Sequence, residues 1–330
     1  MKTKNLLIYL ALLACLLLCS ILSLTLGVQQ TSFAQTFSAL QSHNMSDATV
    51  AIVHSRISRT YLCLAIGAAL GVAGQLMQVV TRNPLADPGI LGVNAGAAAA
   101  VVVGFTFFNA HNGVIETLLA LVGACLAAGL VYAVAQKVSS SNSSVTLVVV
   151  GAALSAACGS LTTLMLLSKQ TSFDDYRAWQ LGSVAGRDLS TLPLTLPLIL
   201  LGLALSIYLA SSLNILSLGD QVATALSHQT NRTKLLATLA AVVLAACATA
   251  VAGPIAFVGL IVPHFAKMLV GQDQRKILLA SILIGPCLML VADILGRVVH
   301  RPAEIPVGVM TALIGVPVFL LLISRNKRIS

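Results

Sequence analysis

Charge is what this sequence has least of. Only 9% of its 330 residues are Asp, Glu, Lys or Arg, against about 25% in a soluble domain, and the mean hydropathy is +0.96. Water is therefore not the main solvent of this chain. The charge present, net +9, forms no basic stripe or motif of the kind that grips nucleic acid. It sits at the ends of apolar runs, and ionisable residues deep inside those runs are nearly absent. That shortage argues against an ion-coupled pump or carrier, where a buried carboxylate or base is usually functional. No GxxxxGK[ST] phosphate loop occurs, so the chain does not hydrolyse ATP by that route, and no enzymatic activity is expected. Short alternating strands of a transmembrane barrel are missing too. The seven cysteines (Cys15, Cys19, Cys63, Cys125, Cys158, Cys247 and Cys287) all lie in apolar segments and form no CxxC or Cys/His metal spacing. They read as small apolar packing residues. No heme, flavin or zinc spacing is visible, so neither a resident cofactor nor a metal is expected.

What is there is a succession of apolar runs, each near the ~20 residues that cross ~30 Å of hydrocarbon as a helix. Lipid offers no partner for unpaired backbone groups, so helices are the expected spans. About ten are predicted, at roughly 6–27, 58–80, 91–109, 114–136, 144–167, 192–210, 233–252, 254–270, 276–296 and 306–324, in one polytopic unit covering residues 1–330. The first exceeds the roughly 7–15 residues of a signal-peptide core and is expected to be retained. The eighth is short and contains Gly253-Pro254 and Pro263, so a broken or tilted helix is predicted there. Ten spans put both termini on one side. With the N-terminus inside, 12 Lys and Arg fall on cytoplasmic positions and 7 outside, which favours cytoplasmic termini. The external arginines are an excess that needs a reason.

Two connections are long. That at about 28–55 is polar and external. That at about 211–232 is internal and carries an interrupted apolar stripe (Leu216, Leu218, Val222, Ala223, Ala225, Leu226) broken at Gly219. It suits a helix lying on the membrane or docked on a protein, and the pattern leaves both open. Gly67, Gly71 and Gly74, and the Gly92/Gly96 pair, suit close helix packing. In the run 151–160, Gly151, Ser155, Gly159 and Ser160 suit packing or the lining of a wide pathway. Asp293 precedes Arg297 by four residues, a spacing that pairs them on one helix face.

Several segments carry a resemblance: Arg56-Ile57-Ser58-Arg59-Thr60; Gly74-Gln75-Leu76-Met77-Gln78 followed by Asn83-Pro84-Leu85-Ala86-Asp87-Pro88-Gly89; Gly253-Pro254 through Pro263-His264; Ala292-Asp293-Ile294 with Arg297; and Glu304-Ile305-Pro306-Val307-Gly308 with Gly315-Val316-Pro317. Together, over about residues 50–325, they resemble the FecCD-type permeases of ABC importers for iron–siderophores, heme and vitamin B12. The resemblance implies an all-α membrane protein of about ten helices, the type II ABC importer permease fold. It also implies a dimer with an identical or homologous permease, two cytoplasmic ABC ATPases that hold ATP and magnesium, and an external binding protein that delivers the chelate. It implies placement in the cell inner membrane.

Residue by residue, the resemblance implies that Arg56, Arg59 and Arg297 receive acidic groups of the binding protein. Ser58 stands where many members have proline, which loosens the presentation of Arg59. Leu216, Leu218, Gly219, Asp220, Ala223 and Leu226 match the loop that couples to the ATPase. Asn83, Pro84, Leu85, Asp87 and Pro88 match a turn beside the inner gate, with Ser143 and Ser144 in the neighbouring link. His264 reads as structural. The segment Arg177-Ala178-Trp179-Gln180-Leu181-Gly182-Ser183 is similar to one frequent in the ferric-siderophore branch and favours an iron(III) chelate over vitamin B12 or heme, although a lone Trp also serves as an interfacial anchor. An ion-coupled secondary transporter and a non-transporting scaffold are the rivals from other classes.

Overall fold

A computed structural model describes residues 2–29, 32–41, 47–108, 110, 112–138, 143–167, 170–187, 189–219, 222–223 and 229–326. Asp220 and Leu226 of the internal loop lie outside this set, as do residues 139–142. Among the described residues there is no strand, as lipid requires of an open chain. The helices are α1 (Lys2–Thr25), α2 (Phe33–Gln41), α3 (Ala48–Thr81), α4 (Val93–Phe107), α5 (Gly113–Val138), α6 (Ser143–Leu166), α7 (Gln170–Gln180), α8 (Leu192–Ser217), α9 (Thr230–Ala252), α10 (Val258–Val270), α11 (Gln274–Val298) and α12 (Val307–Asn326). Seven are long and apolar enough to cross a membrane, and α4, α10 and α12 contribute shorter apolar helices. These correspond to the ten expected spans.

Helix α3 is the axis of the bundle. It packs against α8, α9, α10 and α11, and 89% of its most apolar window is buried. Its glycines explain how: a Cβ at Gly67 would fall 2.6 Å from the Gly285 carbonyl of α11, and Gly74 meets Gly259 of α10 backbone to backbone. The expected small-residue packing is present, and so is the Gly96 contact with Gly123 that closes α4 on α5. By contrast, only 11% of the equivalent window of α1 and 17% of that of α6 are buried.

Three boundaries differ from expectation for physical reasons. Helix α3 begins at Ala48, not near 58, because Asp47 caps it by accepting a hydrogen bond from the Thr49 amide at 2.8 Å. At 34 residues and 1.5 Å per residue it is about 51 Å long. Helix α8 continues to Ser217, beyond the expected 210. Residues 253–257 are non-helical and α10 starts only at Val258, with Gly253 at φ +76° and Phe257 at φ +68°. The predicted break is therefore real, and it lies before Pro263.

Candidate functional site

One end of the bundle, reached by the start of α3 and the ends of α1 and α11, holds a network of arginines. Arg297 donates to the Ser23 and Leu26 carbonyls, each at 3.0 Å, and pairs with Asp293 at 2.7 Å. Arg56 donates to the carbonyls of Leu24 and Thr25 at 3.0 Å and of Gln29 at 2.6 Å. The carbonyls at the C-terminus of α1, which have no partner inside their own helix, are thus taken up by two cations, the sign that a helix C-terminus favours. Arg59 bonds Glu304 at 2.6 Å and lies 3.9 Å from Asp293.

The three arginines assigned to docking differ in how they are held within the chain. Arg56 and Arg297 are 4% and 2% exposed, with guanidinium groups turned onto the protein's own backbone. Arg59 and its partner Glu304 stand at the rim. Helix α3 runs unbroken through Ser58, whose hydroxyl donates to the His54 carbonyl, so serine here keeps Arg59 on a regular helix. The Asp293–Arg297 pair was legible from its spacing. The Arg59–Glu304 pair and the Glu116–Arg187 pair at 2.7 Å join distant segments and were missed.

At the opposite end, residues 82–92 form the expected tight turn. The Asn83 side chain accepts from the Leu85 amide at 2.9 Å and Asp87 from the Gly89 amide at 2.8 Å. Pro88 opens a short 3-10 turn and is buried, while Pro84 and Leu85 are exposed. The segment folds back into the bundle, bringing Asp87 beside Gly259 and the Ile90 carbonyl against Gly151. Burial raises the Asp87 carboxyl above its ordinary 3.8, opposed by the Gly89 amide. Ser143 and Ser144 begin α6, which packs on this segment.

Beside the turn, α8 ends in the internal loop. Leu216 and Ala223 are buried, Leu218 and Val222 are exposed, and Gly219 has φ +115°, a conformation only glycine adopts readily. The end of α8 is tied to the start of α11: Asn214 donates to Asp273 at 3.0 Å and accepts from the Gln274 amide at 2.8 Å. The Asn214 bond, assisted by the Arg275 amide and the Lys276 and Arg275 charges against some desolvation, holds the Asp273 carboxyl below its usual value.

The four candidate lining residues of α6 divide. Gly151 is packed against the Ile90 backbone, so it spaces helices. Ser155 is half-buried beside Gly92, while Gly159 and Ser160 are exposed, with nothing within 4 Å of a Cβ at Gly159. Ser160 and Thr163 donate their hydroxyls to the Ala156 and Gly159 carbonyls at 2.9 Å. Their hydroxyl protons are committed to their own helix, and this face of α6 is left open. It borders a cavity of about 590 Å³ lined by Gly159, Thr163, Leu167, Phe173, Tyr176 and Gln180. A second cavity of about 450 Å³ contains Glu116, Arg187, Asp175 and Trp179. Trp179 is 2% exposed and stacks on Tyr176, so it is an interior residue and not an interfacial anchor.

Three of the seven cysteines meet. Cys15 and Cys19 of α1 and Cys287 of α11 place their sulfur atoms within 4.8 Å of one another. The i,i+4 spacing of the first two was visible in the sequence, but their partner from α11 was not. His264, six residues before the end of α10, joins no such group among the described residues.

Comparison with known proteins follows this architecture. The FecCD transport family model matches residues 15–325. The ferric enterobactin transport system permease FepD of Escherichia coli is 41% identical over 317 residues, 96% of this chain and 95% of that protein. The probable siderophore transport system permease YfiZ of Bacillus subtilis is 37% identical over 307 residues, 93% and 92% of the two chains. A solved metal-chelate type ABC transporter in an inward-facing conformation superposes with a TM-score of 0.83 at 27% identity, over 97% of this chain and 99% of that one. The ten-span bundle with its open small-residue face is a multi-pass membrane permease, and the chain belongs to the FecCD transport family.

Proposed function

We propose that this chain is the membrane-spanning permease subunit of an ATP-driven importer that moves an iron(III)–siderophore-type chelate across the cell inner membrane. The observation that carries the reading is the full-length kinship with siderophore permeases. The geometry supports it through the uncovered face of α6, where Ser160 and Thr163 donate their hydroxyls to their own helix and Gly159 and Thr163 line an open cavity. Such a face lets a large polar chelate pass without holding it, as conduction requires. In this reading the face meets its counterpart on an identical or homologous permease, and the pathway runs between the two copies.

The two ends of the bundle then have different partners. The end with Arg59 and Glu304 faces outward and receives the binding protein, with Arg59 meeting an acidic group while Arg56 and Arg297 hold α1 in place. Rim arginines of this kind steer and orient docking more than they add affinity. The end with Asn83, Leu85, Leu218 and Val222 faces the cytoplasm, together with both termini, and docks two ABC ATPases that supply ATP and magnesium. Exposed Leu218 and Val222, 63% and 47% accessible, flank the Gly219 corner and offer the apolar contact such a partner needs.

The test is uptake in a strain lacking this gene, complemented by the wild-type chain and supplied with iron-55 as catecholate, hydroxamate or citrate chelates, or with heme or cobalamin. Complementation that restores one iron chelate supports the reading. Uptake restored only for heme or cobalamin moves the substrate to the other branches of the family, and solute counterflow by the lone chain in liposomes without ATP overturns the importer reading altogether.

A further inference from the structure

We infer that Cys15, Cys19 and Cys287 form an intramembrane site for one soft monovalent d10 cation, of the Cu(I) type, that clamps α1 onto α11. Three sulfur atoms already lie within 4.8 Å of one another. A thiolate–metal bond is about 2.3 Å long, so a planar three-sulfur site has sulfur–sulfur distances of about 4.0 Å by geometry, and small rotations of three side chains reach it. No His, Asp or Glu joins the group among the described residues. The ligand set is therefore all sulfur and three-coordinate, which suits Cu(I), and it lacks the fourth ligand of a closed zinc site.

Charge balance in hydrocarbon points the same way. A monovalent cation binding one thiolate and two neutral thiols releases one proton and leaves an uncharged complex, the form that a membrane interior tolerates. A divalent cation needs two thiolates for neutrality. No electron is transferred in this step. The site lies where a clamp has work to do: α1 is buried over only 11% of its apolar window. Beside the apolar packing of Ile8, Tyr9 and Leu12, its hydrogen-bonded anchors on this neighbour among the described residues are the Tyr9 hydroxyl bond to the Lys276 carbonyl at 3.1 Å, near one end, and Arg297 on Ser23 and Leu26, at the other. The inference concerns the tether of α1 and does not depend on the transported substrate.

The full chain in lipid nanodiscs, reduced and kept anaerobic, is titrated with Cu(I) against a chromophoric Cu(I) chelator. The expected result is one Cu(I) held per chain, with X-ray absorption showing three sulfur neighbours at about 2.3 Å and thermal unfolding shifted upward. Cys287→Ser is expected to weaken retention at least tenfold, while Cys125→Ser and Cys247→Ser leave it unchanged. Cys287→Ala, which keeps the position apolar, provides the same comparison where the serine variant fails to insert. Equal copper retention by wild type and both Cys287 variants overturns the site. So does nitrogen or oxygen in the copper shell, or an as-isolated disulfide to Cys287 whose reduction yields no copper binding.

Discussion

At the scale of single residues, the arginine network separates two buried guanidinium groups, Arg56 and Arg297, from the partly exposed Arg59. Replacing Arg297 by Ala leaves Asp293 in the interior with Arg59 3.9 Å away as its remaining cation, and uncaps two carbonyls of α1. Breaking a buried pair from one side costs on the order of 3–5 kcal/mol. Arg297→Ala should therefore lower the melting temperature in detergent sharply, whereas Asp293→Asn combined with Arg297→Leu recovers part of the loss. A double variant as unstable as the single one would show that the carbonyl capping dominates over the ion pair. The i,i+4 spacing made the Asp293–Arg297 pair readable in advance. The target of Arg56 was not readable, because it is a helix end brought up from more than twenty residues away by tertiary packing.

Asp87 gives a pH dependence with a definite sign. Its carboxyl is raised above 3.8 by desolvation, so the folded chain binds its proton more readily than the unfolded chain does. Stability should rise as pH falls from neutral through the raised value toward 3.8. Asp87→Asn keeps an acceptor for the Gly89 amide and removes the titration, so its melting temperature should be at least that of wild type at pH 7 and flatter across this window. An unchanged pH slope in the variant would assign the slope to another group.

At the scale of elements, glycine placement decides what α3 and α6 are for. Gly67→Ala puts a methyl 2.6 Å from the Gly285 carbonyl, an overpacking cost of about 1–3 kcal/mol, and should lower yield and thermal stability. Gly159→Ala has nothing within 4 Å and should leave both unchanged. Equal destabilisation by the two would mean that α6 is covered within the single chain. Hydropathy identified both as spans. It could not tell a helix buried on all sides from one left open, because both solvents for a membrane helix, lipid and protein, accept the same residues.

The Gly219 corner belongs to the same scale. Proline requires φ near −65°, against +115° here, so Gly219→Pro should insert normally yet lose chelate uptake while ATPase activity in the assembled complex persists. Full uptake by that variant would remove the coupling role. The proline in the eighth span illustrates the limits of sequence reading. Gly253-Pro254 and Pro263 each predicted a break, and only packing selected the first: Pro263 sits inside α10, where neighbouring helices satisfy freed backbone groups.

At the scale of the molecule, the proposed function makes the chain a helical bundle driven by a separate ATPase. Reconstituted alone, it should move no solute down a proton or sodium gradient, whereas addition of the ATPase and binding protein should give chelate uptake that depends on ATP. Steep gradient-driven transport by the chain alone would contradict the proposed division of labour.

What the sequence determined by itself was the solvent, the number of apolar helices and the family. Hydropathy and segment order survive without any knowledge of contacts, since each span must satisfy its own backbone. The tertiary structure decided which arginines face inward, which face of α6 is left open and which cysteines meet. Each depends on the rotation and register of helices far apart in the chain, and these are settled by close packing between helices, as at Gly67 and Gly74 of α3 and Gly151 of α6, not by the local pattern of any one helix.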